Sequence, residues 1–275
     1  MKAATETPKP WGAYAPSPPV AMWLKLLHAL PSGCGWRRLA LWLRKPLKSI
    51  LDGWVDVIVW GLRLRLRAKG NLSEQRMILT PQFLDRTERL EIASELKNGG
   101  VFLDIGANAG AYSFWAASCA GPGTRIEAFE PDPDLCGSLL FNKNENSLSS
   151  LTIHSLALGR MEGEMSLVRG STNRGENHVC AAGAADSVPV RMTTLPLFLR
   201  ANGIEKIDAL KIDIEGYECD ALEPLFLENP PSMWPGLLIC EVVHDESNEL
   251  ARLLDKNGYK LAASGRLNGI YRLAP

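Results

Sequence analysis

The sequence predicts an α/β fold: a mainly parallel sheet with helices on both faces. Three observations predict it. From residue 101 onward, short apolar runs alternate with segments of helical period, as expected for strands joined through crossover helices. The first of these runs ends in Asp104 and turns through Gly106 and Gly110 into a small-residue helix. In open parallel sheets, such strand-to-helix turns line the ligand crevice. Finally, a composition of 46% hydrophobic and 22% charged residues supplies a core and excludes a disordered, collagen-like or coiled-coil chain.

Residues 1–19 include Pro8, Pro10, Pro16, Pro18 and Pro19 and read as a disordered lead-in. Nothing there reads as a signal peptide, because the later apolar patch is broken by Lys25. Residues 20–74 read as an extension and 75–275 as the main domain. From Trp36 to Leu51, apolar Leu39, Leu43, Leu47, Ile50 and Leu51 recur at helical spacing, and Pro46 predicts two short helices or a kink. Val55, Val57 and Val59 then alternate, as do Leu62, Leu64 and Leu66 against Arg63, Arg65 and Arg67. These are strand patterns with one basic face.

Charge divides the chain. Residues 1–70 carry 12 Lys and Arg against 3 Asp and Glu, whereas residues 71–275 carry 18 against 28. Six of the eight tryptophans also lie in the first segment. The basic, Trp-rich stretch within residues 20–70 suits contact with an anionic membrane surface or a cap over the main domain. The net charge of −1 and the lack of a binding motif argue against nucleic acid as a partner. The six cysteines show no C-x-x-C pair, which predicts unpaired thiols in a reducing cytoplasm rather than disulfides or zinc.

In the main domain the predicted elements run in order. They are strand Val101–Asp104, helix Gly110–Ala120, strand Arg125–Glu130, helix Asp132–Asn146 capped by Asp132 or Asp134, and strand Leu151–Leu156. After these come strand Ile207–Asp213, a helix from about Tyr217, strand Leu237–Val243, helix Glu246–Asn257 ended by Gly258, and the pair Tyr259–Ala263 and Gly269–Leu273. Gly170–Asp186 reads as a long loop, a candidate lid.

The turn after Asp104 reads D-x-G-x-N-x-G, not the G-x-G-x-x-G of dinucleotide sites. A carboxylate there repels a pyrophosphate and attracts a cationic ligand such as S-adenosylmethionine. Glu130 ends the next strand, where a carboxylate can accept both ribose hydroxyls. That single feature fits NAD equally well.

Several segments together resemble the FkbM family of S-adenosylmethionine-dependent methyltransferases. They are residues 103–113, Phe129–Pro133, Asn142 and Asn146, Ala157–Gly159, Leu210–Glu218 and Cys240–Val242. The resemblance spans about residues 75–273. One departure is Thr194-Leu195-Pro196, where Thr-Leu-Asp is usual; proline suits the first turn of a helix capped by Thr194. The resemblance implies a seven-stranded Rossmann-like sheet whose last strand is antiparallel. It implies Asp104, Gly106, Asn108 and Gly110 around the methionine part, Glu130 on the ribose, Ala157 and Leu158 beside the adenine, and Asp213 facing the methyl group. Ala107, Tyr112 and Pro131 complete the cofactor-binding candidates.

The catalytic candidates are His244, Asp213 and Glu215. His244 follows a strand and is the leading general base, with Asp213 second. Glu218 reads as a helix-start acid, His28 and His154 as structural, and His178 as a lid residue. Asp213, Glu215, Glu241, His244 and Asp245 could in principle hold a metal, but their spacing shows no specific ligand pattern, so none is assigned. The expected activity is O-methylation of a sugar, glycolipid or polyketide-type small molecule. The alternatives are an NAD-type oxidoreductase and a non-catalytic membrane-surface adaptor.

Overall fold

The structure, a computed structural model, describes residues 9–168, 178–180, 187–242, 248–265 and 267–274. It opens with helices α1 (Pro18–His28) and α2 (Cys34–Ile50), then the hairpin β1 (Trp54–Val59) and β2 (Leu62–Arg67). Helices α3 (Leu72–Leu79) and α4 (Arg86–Glu95) lead into β3 (Val101–Ile105), α5 (Ala111–Cys119), β4 (Arg125–Phe129), α6 (Pro133–Glu145) and β5 (Leu151–His154). Strands β6 (Ala157–Leu158), β7 (Gly163–Val168), β8 (His178–Cys180) and β9 (Val188–Thr193) come next. The chain finishes with α7 (Leu195–Ala201), β10 (Ala209–Ile212), α8 (Glu218–Glu228), β11 (Leu237–Glu241), α9 (Glu249–Lys256), β12 (Tyr259–Ser264) and β13 (Asn268–Leu273).

The main sheet has seven strands in the order β12-β13-β11-β10-β3-β4-β5. Strands β5, β4, β3, β10 and β11 are parallel. Strand β13 is antiparallel to both neighbours, inserted by its hairpin with β12 as the resemblance implies. The first strand, β3, lies between β4 and β10, so the chain order reverses there and opens a crevice at the strands' carboxyl ends.

Local chemistry explains the helix starts. Asp132 accepts the Asp134 N–H at 3.0 Å and caps α6. Thr194 accepts the Leu197 N–H at 3.4 Å, with Pro196 in the first turn of α7. Each such cap stabilises its helix by about 1 kcal/mol. Two apolar clusters fill the molecule. One holds Leu103, Phe129, Leu210 and Leu238 with α7 and α8. The other joins Phe102, Phe114 and Leu139 to Leu24, Leu27, Leu47 and Leu64 of the N-terminal segment.

That joint is also polar. The Asn142 side chain accepts the Arg65 N–H at 2.7 Å and donates to the Arg65 carbonyl at 3.1 Å. Asn146 does the same for Arg63, at 2.8 and 2.7 Å. Four helical residues rise ~6 Å and two strand residues ~6.7 Å, so amides at i and i+4 meet alternate residues of β2. Glu74 accepts the Arg67 N–H at 3.0 Å, and the outer edge of β2 is thereby covered.

The structure adds to or departs from the sequence reading in four places. Residues 9–17, read from their prolines as part of a disordered lead-in, are held in place. Asp56 accepts the N–H groups of Gly12 and Tyr14 at 2.7 and 3.0 Å, and Arg65 donates to the carbonyls of Lys9 and Pro10. The alternating arginines, read as one basic face, are not all exposed. Arg65 is buried in a bidentate pair with Asp56, at 2.7 and 3.0 Å, and stacks on Tyr14 and Phe141. Pro46 neither splits nor ends α2. It forfeits one hydrogen bond, to the carbonyl of Trp42, a residue exposed enough for water to replace it. Lastly, β6, β9, β7 and β8 form a second, four-stranded sheet that the sequence pattern did not disclose. Only 178–180 of the expected loop Gly170–Asp186 lie among the described residues, and they pair with β7.

Candidate active site

The turn after β3 is set by packing before any ligand is considered. Gly106 has φ +74°, and a Cβ there would lie 2.0 Å from the Asp213 carbonyl oxygen. Gly110 has φ +77°, and a Cβ would lie 2.6 Å from both Leu139 and Phe114. Only glycine fits either position. The N–H groups of Gly106 and Ala107 both donate to the Phe129 carbonyl, at 3.0 and 2.8 Å, tying the turn to the end of β4. Asn108, at φ +49°, accepts the Asn71 side-chain amide at 2.6 Å, so the segment before the main sheet also supports the turn.

Asp104 is fully buried. Its Oδ2 accepts the Ser113 N–H at 3.0 Å and the Ser113 hydroxyl at 2.5 Å, so it caps the start of α5. Its Oδ1 is buried and makes no hydrogen bond among the described residues; the Lys211 Nζ stands 4.0 Å away. Burial pushes the Asp104 carboxyl above its ordinary range, against the pull of Lys211 and Ser113. A cation or N–H donor reaching Oδ1 would favour the ionised form.

Lys211 was not singled out from the sequence. It points from β10 into the same corner, 3.3 Å from Asp213 Oδ2 and 3.2 Å from the Gly106 carbonyl. Burial alone would lower its pKa, but Asp213 and Asp104 more than offset this and the result is raised. Its only sequence signal was a lysine inside an otherwise apolar strand. Tyr112 braces it. The Tyr112 ring centroid lies 5.3 Å from Nζ, and the Tyr112 hydroxyl donates to Asp85 at 3.4 Å and accepts from Asn268 at 3.3 Å.

Glu130 follows β4 and is buried. Its two oxygens accept the N–H groups of Asn108 and Asp132, each at 2.8 Å, which leaves each oxygen further acceptor capacity. Burial raises its pKa to about 7, partly offset by those two N–H groups. An acid whose folded-state pKa is raised loses stability as pH climbs from its ordinary 4.5 to about 7. The loss is on the order of 3 kcal/mol. Glu130→Gln is therefore expected to flatten the fall in stability between pH 5 and pH 8, read by urea unfolding at both. The same steep fall in wild type and variant would assign the titration elsewhere.

A cluster of acids ends β10 and β11. One oxygen each of Asp213, Glu215 and Glu241 lies within 4.8 Å of the others, all three half-buried. That spacing could serve a divalent cation or hydroxyl donors. Burial first, then the carboxylates of Asp213 and Glu215, push Glu241 up to about 8. The sequence reading had placed Glu241 only among conceivable metal ligands. Glu215 sits at φ +55°. Glu218, at the start of α8 as read, accepts the N–H groups of Ile214 and Gly216 at 2.9 and 3.4 Å and so pins the loop that carries Asp213 and Glu215.

The structure thus brings Asp104, Gly106, Ala107, Asn108, Gly110, Tyr112, Glu130 and Asp213 to one edge of the sheet. Pro131 is half-buried beside Glu130, and Ala157 and Leu158 are buried in β6. His244 and Asp245 lie outside the described residues, as does the His178 side chain. His28 and His154 are structural as read, bonded to the Ile78 carbonyl at 2.7 Å and to Glu127 at 2.5 Å.

A family model described as the methyltransferase FkbM domain matches residues 104–261. No curated protein matches the sequence significantly. Among solved structures, similarity extends to methyltransferase FkbM from Methylobacillus flagellatus KT. That match has 17% identity and a TM-score of 0.45, covering 73% of this chain and 54% of the other, about half of its length. Precorrin-6y C5,15-methyltransferase from Geobacter metallireducens GS-15 matches at 16% identity and TM-score 0.41, covering 66% and 84%. The O-methyltransferase from Bacillus cereus in complex with SAH matches at 13% and 0.42, covering 70% and 80%.

Proposed function

The chain belongs to the FkbM methyltransferase family, and from that premise we propose that it methylates a hydroxyl of a sugar, glycolipid or polyketide-type small molecule. S-adenosylmethionine-dependent methyl transfer is the activity class, which displaces the oxidoreductase alternative. The observation that supports a hydroxyl-bearing acceptor is the cluster of Asp213, Glu215 and Glu241 beside the cofactor turn. A carboxylate accepts hydrogen bonds, and the protonated Glu241, pushed up to about 8, can donate one. An acceptor's hydroxyl groups both donate and accept, and so match such a mixed cluster.

The residues present fit S-adenosylmethionine. The orphaned, buried Oδ1 of Asp104 is where an ammonium or sulfonium-bearing ligand gains most. Asp104, Gly106, Ala107, Asn108 and Gly110 would hold the amino-acid end, Glu130 and Pro131 the ribose, and Ala157 and Leu158 the adenine. When bound, the cofactor supplies a methyl group activated by positive sulfur.

The chain's own residues do the rest. Asp213 holds the acceptor hydroxyl and takes its proton as the new O–C bond forms. Glu215 accepts a hydrogen bond from a neighbouring hydroxyl. Glu241, pushed up to about 8 and so largely protonated at neutral pH, donates one, and together they fix the acceptor's orientation. Lys211 keeps Asp213 in place from below, at 3.3 Å. Orientation of this kind is worth up to about 7–11 kcal/mol. His244, which follows β11 in sequence, is the competing base. The test is incubation with radiolabelled methyl donor and a cell extract, followed by mass identification of the product. A label found on oxygen is the expected result; a label on nitrogen or carbon overturns the acceptor reading.

A further inference from the structure

The N-terminal helices carry more apolar surface than the core uses. In α2, Ala40 and Leu47, with Leu51 just beyond, are buried and form the stripe that caps the main domain. At ~100° per residue, Leu39, Trp42 and Ile50 fall on a separate arc of about 80°, and all three are exposed, Trp42 at 65%. Arg38 and Lys45 are exposed on the other side of Trp42. In α1, Met22 and Leu26 lie one helical step apart and are 58% and 62% exposed, while Leu24 and Leu27 turn inward. Residues 18–51 contain six Lys and Arg and no Asp or Glu.

We propose that α1 and α2 form a docking surface for an anionic lipid bilayer, with Trp42 at the centre and Arg38 and Lys45 on the headgroups. The argument is one of complementarity. An exposed tryptophan between aliphatic and basic side chains matches the layered chemistry of a membrane interface, apolar below and anionic above. A run of basic residues without one acid is attracted to anionic lipid over about a Debye length. A soluble acidic partner would explain the charge but would leave Met22, Leu26 and Ile50 unaccounted for. The helices lie on the surface rather than cross it: among the described residues, no helix is long and apolar enough to span a bilayer.

The test uses the full chain and vesicle flotation. Vesicles of phosphatidylcholine with phosphatidylglycerol are compared with vesicles of phosphatidylcholine alone. The expected result is flotation with the anionic vesicles and at least tenfold weaker binding to the neutral ones. Trp42→Ser and the double variant Arg38→Glu/Lys45→Glu are each expected to lose at least tenfold in anionic-vesicle binding. Their thermal unfolding and S-adenosylhomocysteine affinity should stay within error of wild type, since all three side chains are exposed. Absence of flotation with anionic vesicles overturns the proposal. So does Trp42→Ser binding as well as wild type, which would reduce the surface to a polyanion site.

Discussion

Asp104→Ala is expected to abolish S-adenosylhomocysteine binding, with at least a 100-fold loss by isothermal titration, and to destabilise the fold by about 3–5 kcal/mol. Both effects follow from the same atoms. Oδ2 satisfies two donors on Ser113, and the carboxylate is one of two acids holding the buried Lys211. Alanine leaves those donors and part of a buried charge uncompensated. Asp104→Asn separates the roles. Its side-chain oxygen can keep the Ser113 bonds, so the fold should survive with a much smaller loss, while affinity should still fall at least tenfold because the charge is gone. Wild-type affinity in Asp104→Asn would show that Asp104 is a helix cap and nothing more.

Asp213→Asn is expected to lower kcat by about 100- to 10,000-fold, the usual contribution of a general base, and to change S-adenosylhomocysteine affinity by less than tenfold. The substituted amide would still accept a hydrogen bond from Lys211 but could not take a proton. His244→Ala is the companion experiment. If the histidine variant shows the large loss and Asp213→Asn does not, the base is His244, and Asp213 only positions the acceptor.

Much of this site was legible because it is local. The carboxylate at the end of β3, the glycines behind it and Glu130 are fixed by short-range spacing, and so are the caps at Asp132 and Thr194. The order of apolar runs was enough to foretell a mainly parallel sheet, and the family resemblance supplied its antiparallel insertion. What escaped depends on partners far away in sequence. Lys211 belongs to the site because Asp104 lies on the neighbouring strand. Arg65 was read only as part of a basic face because Asp56 does not meet it until the hairpin closes. The glycines were read as part of a turn that lines a ligand crevice, and the Asp213 carbonyl, Leu139 and Phe114, distant in sequence or across a turn, also require them. The second sheet escaped because β6 has two residues and β8 three, too few for alternation to show.

The paired asparagines of α6 have a wider consequence. Two amides four residues apart serve as a landing strip for a strand that arrives from outside the sheet. Removing residues 9–70 would not free a self-sufficient catalytic half; it would take Leu24, Leu27, Leu47 and Leu64 out of the apolar cluster that includes Phe114 and Leu139 and leave both amides without the strand they bind. Shortened versions of this protein should therefore begin before α1 rather than at β3, and a chain carrying the same asparagine pair on this helix should bring its own strand to meet it.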